Sequence, residues 1–317
     1  MEMTAAVLCK SACILGEGPI WFPDENKLMW VDIEQQRVFS LDWQSRATHY
    51  WRLEKRVTLI LPVADDPNNL LLGMQGGLAK FDPINNRFQW LADIEQEQVT
   101  HRCNDGACDR QGRLWVGTMC TDFITGAGSL YMLNDELALS KKIDRLTIPN
   151  GICWSPDNQR MYFIDSTLRT VQSFLYDTAT GHLTFEKIAV EVPPALGSPD
   201  GMAIDEEGML WVAHYGGAGV YRWNPHTGEL LDKIALPVPN VTSCVFGGPH
   251  LDTLFITTAR QELSDETLQQ YPDSGHVFYV QVPVRGLPTN PCRVRESAGF
   301  PNHAVYVPKQ VFSAPAP

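Results

Sequence analysis

Two short stretches, LWVGT at 114–118 and LWVAH at 210–214, carry the pattern that decides the fold. Each consists of apolar residues, one of them aromatic, and ends on a small or polar residue. Four further segments share this pattern, namely LMWVD from 28, LLLGM from 70, MYFID from 161 and LFITT from 254. Successive starts lie 42, 44, 47, 49 and 44 residues apart. A regular period of this size is typical of one propeller blade.

The sequence around each segment is typical of hairpins. Turn residues precede every segment, as in DENK, DPNN and DRQGR, and a second strand with its own turn follows most of them. Helical periodicity is scarce, and we expect one short helical turn at SDETLQQY, where Ser264 would cap it. Sheets arranged in a ring cover one another's faces and leave only short edges. The sequence therefore predicts an all-β fold, a six-bladed β-propeller with four-stranded antiparallel blades around a central channel.

The predicted organisation is one domain over residues 1–317. The blades cover roughly 15–285, and a Pro-rich C-terminal extension follows after about 285. We expect this extension to be a surface element.

Composition excludes several classes of partner. The formal net charge is −12 and no run of basic residues occurs, which argues against nucleic acid. No apolar run approaches the roughly 18 residues that a membrane helix needs, and the N-terminus makes a poor signal peptide. The eight cysteines form no CxxC pair, so we expect reduced thiols and a cytoplasmic location. We expect a monomer that acts on a small molecule.

Polar residues interrupt four otherwise apolar stretches that we expect to be loops preceding the inner strands. These are Glu17 in GEGPIW, Arg102 and Asn104 in HRCNDGACD, Asn150 in IPNGICW and Asp200 in GSPDGMAI. One interpretation is that they only make turns at the start of each blade. The other is that Glu17, Asn150 and Asp200 supply oxygen ligands to one divalent cation, which would relieve the repulsion between the two carboxylates.

Five motifs in order resemble the gluconolactonase and regucalcin family of sugar lactonases, from about Leu15 to about Val280. They are GEGPIW, NDGACDRQGRLWVGTM, PNGICWSPD, PDGMAIDEEGMLWVA, and TSCVFGG with LFITTAR. The resemblance implies a six-bladed propeller with a single divalent metal ion, whether Ca, Zn, Mn, Mg or Fe(II), bound by Glu17, Asn150 and Asp200. It also implies substrate binding by Arg102 and Asn104.

The implied activity is hydrolysis of a sugar lactone to the aldonic acid, with Asp200 as the general base. The family's acidic residue beyond the GTM motif is matched here by Asp122, a shorter carboxylate that would contact the sugar less well. His101 and His214 are expected to be channel-wall residues, and Cys103, Cys108 and Cys153 to be packing residues.

Two alternatives remain open. One is a metal-dependent phosphotriesterase on the same propeller, and the other is a calcium-binding protein without catalytic activity.

Overall fold

The computed structural model describes residues 3–295 and 305–312 and confirms the six-bladed propeller. An N-terminal strand, β1, spans Ala6–Cys9. Blades 1 to 3 consist of β2 (Gly16–Phe22), β3 (Lys27–Asp32), β4 (Arg37–Asp42), β5 (Thr48–Arg52), β6 (Val57–Pro62), β7 (Leu70–Met74), β8 (Gly77–Asp82), β9 (Arg87–Asp93), β10 (His101–Cys108), β11 (Leu114–Cys120), β12 (Gly128–Leu133) and β13 (Leu139–Leu146).

Blades 4 to 6 continue this order along the chain. Their strands are β14 (Pro149–Trp154), β15 (Arg160–Asp165), β16 (Thr170–Asp177), β17 (His182–Glu191), β18 (Ser198–Ile204), β19 (Leu210–Tyr215), β20 (Gly219–Trp223), β21 (Leu230–Ala235), β22 (Val241–Gly247), β23 (Thr253–Thr258) and β24 (Val277–Gln281). Two short strands follow, β25 (Val305–Tyr306) and β26 (Lys309–Val311).

The ring is closed by the N-terminus. The innermost strands β2, β6, β10, β14, β18 and β22 contact one another in sequence order, and β22 contacts β2 again. Blade 6 takes its outermost strand from the other end of the chain, because β1 pairs antiparallel with β24. This pairing ties the two ends of the ring together and covers an edge of the last sheet.

The six repeated segments form the second strand of each blade, β3, β7, β11, β15, β19 and β23. They are buried, and two of their tryptophans, Trp115 and Trp211, contact aromatic rings of the next blade. Trp115 of blade 3 lies 6.1 Å from Trp154 of blade 4, and Trp211 of blade 5 lies 5.8 Å from Phe246 of blade 6, both measured between ring centroids. The aromatic positions of the repeat therefore join adjacent sheets.

The expectation that the polar motifs lie in loops is wrong. Glu17, Asn104, Asn150 and Asp200 all lie within innermost strands. Each of the six innermost strands has a register shift against its neighbour, and in β2, β10, β14 and β18 the shift lies at the polar motif. Such a bulge leaves residues unpaired and re-aims their side chains, so a polar residue reaches the axis without ending the strand.

Glycine is required beside these bulges because the innermost strands approach closely. A Cβ atom on Gly201 would lie 2.5 Å from Cβ of Ser243 on β22. A Cβ atom on Gly151 would lie 2.6 Å from Cβ of Met202 on β18. The Asn-Gly and Asp-Gly pairs thus set the spacing of blades 4, 5 and 6 around the axis.

The C-terminal extension differs from the expected surface element. Cys292 is fully buried and donates its backbone N–H to Pro62 O at 2.8 Å. Further on, β26 pairs with β5 and β25 pairs with β9, which adds a fifth strand to blades 1 and 2. The part of the extension that the structure describes therefore packs against the propeller.

The expectation of eight reduced thiols is also wrong. Cys108 at the end of β10 forms a disulfide with Cys292 in the extension, with the Cα atoms 5.6 Å apart. Asn290 adds a side-chain hydrogen bond to Cys108 O at 3.1 Å. The bond joins positions separated by 184 residues and anchors the extension to blade 3.

The predicted helical turn is confirmed as α1, Asp265–Gln270, and Ser264 Oγ accepts a hydrogen bond from Thr267 N at 3.2 Å. No helix within residues 3–295 and 305–312 is long and apolar enough to cross a membrane.

Candidate functional site

A cavity of about 210 Å³ opens at one end of the central channel. Its walls come from residues of the innermost strands and from residues that follow the second strands. The lining residues are Leu15, Glu17, Arg102, Asn104, Met119, Phe123, Ile148, Asn150, Ser166, Thr167, Ser198, Asp200, Tyr215, Gln261 and Glu262. Five of the six residues proposed from the sequence therefore share one cavity.

Glu17 and Asp200 form a pair of carboxyl groups with little water around them. Burial, reinforced by the negative charge of Asp105, raises the pKa of Glu17 to about 8. Burial and the charge of Glu17 raise the pKa of Asp200 well above its ordinary value. One oxygen of Asp200, Oδ1, is buried and has no hydrogen-bond partner. Two such groups in one apolar-walled channel repel each other when both are ionised.

A chain of hydrogen bonds fixes the polar side of the cavity. Arg102 donates to Asn104 Oδ1, and Asn104 Nδ2 donates to Asn150 Oδ1 at 2.8 Å. Asn150 Nδ2 donates to Ser166 Oγ at 2.8 Å, and the Ser166 hydroxyl donates to Pro199 O at 2.6 Å. The network links blades 3, 4 and 5, so these side chains are held in one orientation.

Arg102 is a buried cation beside the carboxylates. Burial lowers the pKa of its guanidinium to about 10, so it stays protonated at neutral pH. Its Nε–H is buried without a hydrogen-bond partner. Arg102 thus keeps one donor group that no protein atom in the described part of the chain satisfies.

The residues present fit a divalent cation. No group of three or more His, Cys, Asp or Glu side chains suitable for a metal ion occurs in the described ranges. The candidate set instead combines the carboxylates of Glu17 and Asp200 with the amide oxygen of Asn150, an all-oxygen set of the kind that hard cations prefer. The unpartnered Asp200 Oδ1 and the mutual repulsion of the acids are what a bound cation would relieve.

The structure does not bring Asp122 into this cavity. Its side chain is exposed in the turn after β11, and among the described residues it is the next one, Phe123, that lines the cavity. This position therefore departs from the family pattern in two ways. The carboxylate is shorter, and the adjacent residue that lines the cavity is aromatic.

Sequence reasoning missed several lining residues. Ser166 and Thr167 directly follow β15, and Tyr215 ends β19, so the signal was their position just after the repeated segments. Gln261 and Glu262 follow β23 in the same way. Position after the second strand, rather than residue type, was the feature that could have identified them.

Asp105 lines a second cavity of about 210 Å³ at the other end of the channel. Its carboxylate accepts a hydrogen bond from Gly106 N at 2.7 Å, and burial raises its pKa to about 6. This acid adds to the negative charge between the two cavities.

The two histidines beside the motifs lie behind the cavity wall. His101 Nδ1 is 2.8 Å from Glu95 Oε2. His214 is fully buried, stacks on Tyr221 at 4.0 Å between ring centroids and is bonded through Nδ1 to Leu196 O at 2.9 Å. Burial lowers the pKa of His214 to about 4, so its ring is neutral.

The free cysteines beside the site are not activated. Burial raises the pKa of Cys103 to about 12 and raises that of Cys153 further. Thiols in this state are protonated at neutral pH and are poor nucleophiles.

Comparison with known proteins identifies the family. Residues 15–260 match the model described as "SMP-30/Gluconolactonase/LRE-like region". The chain belongs to this SMP-30/gluconolactonase family. The match spans all four motifs that place polar residues in the cavity.

Relatives of the SMP-30/gluconolactonase family match over nearly their whole lengths. Regucalcin of Bos taurus is 35% identical over 293 residues, which is 88% of this chain and 95% of that protein. A protein of Bacillus subtilis named "Putative sugar lactone lactonase YvrE" is 30% identical over 284 residues, with coverage of 90% and 97%. The crystal structure of a calcium-binding protein, regucalcin, from Agrobacterium tumefaciens superposes with a TM-score of 0.88 at 27% identity, covering 93% of this chain and 99% of that one.

Proposed function

We propose that the protein hydrolyses a sugar lactone to the corresponding aldonic acid and that it uses one divalent metal ion held by Glu17, Asn150 and Asp200. The observation that carries the proposal is that the carboxyl groups of Glu17 and Asp200, both with raised pKa, share one cavity with the buried Arg102–Asn104 pair. The relative named as a sugar lactone lactonase supports the substrate class. The identity of the ion, whether Ca, Zn, Mn, Mg or Fe(II), is an outcome of the experiment below.

When bound, the divalent ion supplies Lewis-acid chemistry for an ester carbonyl and lowers the pKa of water. Asp200 is the proposed general base, because its carboxylate has two oxygens: one would bind the ion, and the other would accept a proton from an attacking water. Asn150 is held in place by Asn104 and Ser166, so its amide oxygen is fixed before substrate binds.

Arg102 and Asn104 are the proposed substrate-binding residues. The unpartnered Nε–H of Arg102 is a charged donor for a lactone oxygen or a ring hydroxyl. Asn104 is oriented by Asn150 and Pro149 O, and so it orients Arg102 in turn. Asp122 has no place among the proposed substrate contacts, because its side chain is exposed outside the cavity.

The experiment is a pH-stat screen of pentono- and hexonolactones with the full chain, first after chelation and then with each divalent ion restored. We expect hydrolysis to disappear on chelation and to return with at least one ion. Asp200→Ala should abolish turnover, whereas Asp24→Ala, which removes an exposed carboxylate, should leave it unchanged. Full activity in a chelated preparation would contradict the proposal.

The second candidate function is calcium binding without catalysis, which the similarity to the calcium-binding protein of Agrobacterium favours. Arg102 distinguishes the two, because an ion site alone does not need a buried cation beside it. Loss of lactone hydrolysis in Arg102→Ala with metal binding retained supports the lactonase. Measuring kcat/KM for a lactone and a phosphotriester in parallel decides between the two hydrolase reactions, because the larger value identifies the substrate class.

We propose that the protein acts as a monomer; a cytoplasmic location stays a prediction.

A further inference from the structure

The wall of the cavity contains an apolar part among its polar residues. On the side of blades 5 and 6 lie Tyr215, Gln261 and Glu262, which offer hydroxyl, amide and carboxylate groups. Blades 3 and 4 supply the polar residues Arg102, Asn104, Asn150, Ser166 and Thr167 and also three apolar lining residues, Met119, Phe123 and Ile148. We call these three residues the apolar flank.

The apolar flank is built into the sheet next to the proposed substrate-binding arginine. Met119 on β11 is the register partner of Arg102 on β10, so the two side chains are cross-strand neighbours. Met119 is buried, and Ile148 directly precedes the strand that carries Asn150. An apolar wall therefore begins beside the charged group that would hold the lactone.

Phe123 extends this wall toward the mouth of the cavity. Phe123 lines the cavity and is 47% exposed. Its backbone has φ of 55°, and it is the one aromatic residue with positive φ in the described part of the chain. A bulky side chain in this region is strained unless the surrounding structure holds it there.

The loop that carries Phe123 is fixed at both ends. Thr121 N donates to Thr100 O at 2.8 Å and Phe123 N donates to Cys120 O at 3.0 Å. At the other end, Gly126 N donates to Thr147 Oγ1 at 3.1 Å, which attaches the loop to the connection between blades 3 and 4. Hydrogen bonds thus hold the backbone that places Phe123 at the cavity wall.

From this geometry we infer that the preferred substrates are deoxy-sugar lactones, which carry a methyl group where an ordinary sugar lactone carries a hydroxymethyl group. The inference rests on the proposed lactonase function and names its substrate class. A hydroxyl placed against the apolar flank would lose its water without gaining a hydrogen bond, whereas a methyl group gains burial there. The remaining hydroxyls would face Tyr215, Gln261 and Glu262, whose hydroxyl, amide and carboxylate groups can hydrogen-bond with them.

A matched pair of substrates tests this inference. L-Rhamnono-1,4-lactone and L-mannono-1,4-lactone have the same stereochemistry and differ by one terminal hydroxyl. With the full chain and the activating ion, we expect kcat/KM to favour the rhamnonolactone about tenfold, which is the size of discrimination that one such group gives in an apolar pocket.

Phe123→Ser should reduce this preference to less than about threefold, because the serine hydroxyl can bond to the terminal hydroxyl of the mannonolactone. Phe123→Leu keeps an apolar side chain and should retain most of the preference. Ile124→Ser is the matched control, since Ile124 lies next to Phe123 in the same loop, is 57% exposed and is not among the cavity-lining residues in the described ranges. Its rates with both lactones should equal those of the unsubstituted protein.

The outcomes separate the two proposals. Equal rates for the two lactones, a preference for the mannonolactone, or an unchanged ratio in Phe123→Ser would overturn the substrate class and leave the lactonase function standing. If no lactone is hydrolysed with any divalent ion, the proposed function fails and the substrate class fails with it.

Discussion

At the scale of single residues, Glu17 is explained by its surroundings. A glutamate at the start of a buried strand costs free energy when it is desolvated alone. Here it shares the cavity with Asp200 and Asn150, and its pKa of about 8 shows that the ionised form is disfavoured without a counter-charge. Because an ionised glutamate at this position destabilises the fold, its presence is best explained by a role in binding a positively charged ligand.

Replacing Glu17 by glutamine should therefore weaken divalent metal binding by at least about tenfold, because the site loses one of its two carboxylates. Isothermal titration of the chelated protein measures this. The chelated variant should melt at or above the temperature of the chelated unsubstituted protein, since a buried acid has been removed. Glu97→Gln removes the same charge from an exposed position and should leave the affinity unchanged. Equal affinities for Glu17→Gln and the unsubstituted protein would exclude Glu17 as a ligand.

His214 gives a pH dependence of stability that does not involve the metal. Its pKa is lowered by burial from 6.5 to about 4, so below pH 6.5 the unfolded chain binds a proton that the folded protein does not. Stability is therefore lost as pH falls from about 6.5 toward about 4. The loss that belongs to His214 is roughly 2 kcal/mol between pH 6.5 and 4.5.

Denaturant unfolding of the protein and of His214→Phe at these two pH values measures the loss. The phenyl ring preserves the stacking on Tyr221, so the variant should show a shallower pH dependence by that amount. Equal slopes for the two proteins would show that His214 is protonated in the fold.

At the scale of elements, the spacing of the innermost strands positions the site. Gly201 follows Asp200 on β18, and any side chain there meets the backbone of Ser243 on β22, with Cα at 2.7 Å from the added Cβ. The two strands must separate to admit it, at a cost of about 1 to 3 kcal/mol. Such a movement also displaces Asp200.

We expect Gly201→Ala to lower both the melting temperature and the affinity for the metal. The matched control is Gly208→Ala in the turn between β18 and β19, where φ is +82° but the nearest atom to an added Cβ is 3.6 Å away. This control should cost about 1 kcal/mol through backbone strain alone and leave metal affinity unchanged. Unchanged affinity in Gly201→Ala would mean that strand spacing does not set the geometry of the site.

At the scale of the whole molecule, described segments on both sides of the six blades are attached to the ring. The N-terminal strand β1 completes blade 6, and the segment after blade 6 is fixed to blade 3 by the Cys108–Cys292 disulfide. A cross-link between positions so far apart in sequence stabilises mainly by restricting the unfolded chain, typically by about 2 to 4 kcal/mol.

Thiol counting tests the disulfide directly. Six cysteines are free in the structure and two are bonded. Titration with a thiol reagent in denaturant should give six thiols before reduction and eight after it. Eight thiols before reduction would contradict the disulfide and would agree with the reducing compartment expected from the sequence.

The sequence was sufficient for the architecture because the repeated segments have one physical role in every blade. LWVGT and LWVAH recur since each must fill the space between adjacent sheets, and that requirement is local. Glu17, Asn150 and Asp200 could be identified from the sequence because they break a pattern: each is a polar residue within an apolar strand.

Other features were hidden because they depend on contacts between distant parts of the chain. Phe123 and Tyr215 look like ordinary aromatic residues until the ring places them around the cavity. The bulges that turn Asn150 and Asp200 to the axis leave no trace in the spacing of apolar residues. Cys292 lies in a segment with no repeat, so nothing in the sequence links it to Cys108.

The central claim is that Glu17, Asn150 and Asp200 hold one divalent ion at which a lactone is hydrolysed. The most direct measurement is a titration of the chelated protein with the activating ion, with bound metal and the initial rate of lactone hydrolysis followed in the same samples. We predict that both rise together and reach a plateau at one ion per chain, and that Asp200→Ala shows neither rise. Activity at full rate before any ion is added, or tight binding with the same stoichiometry in Asp200→Ala, would contradict the account.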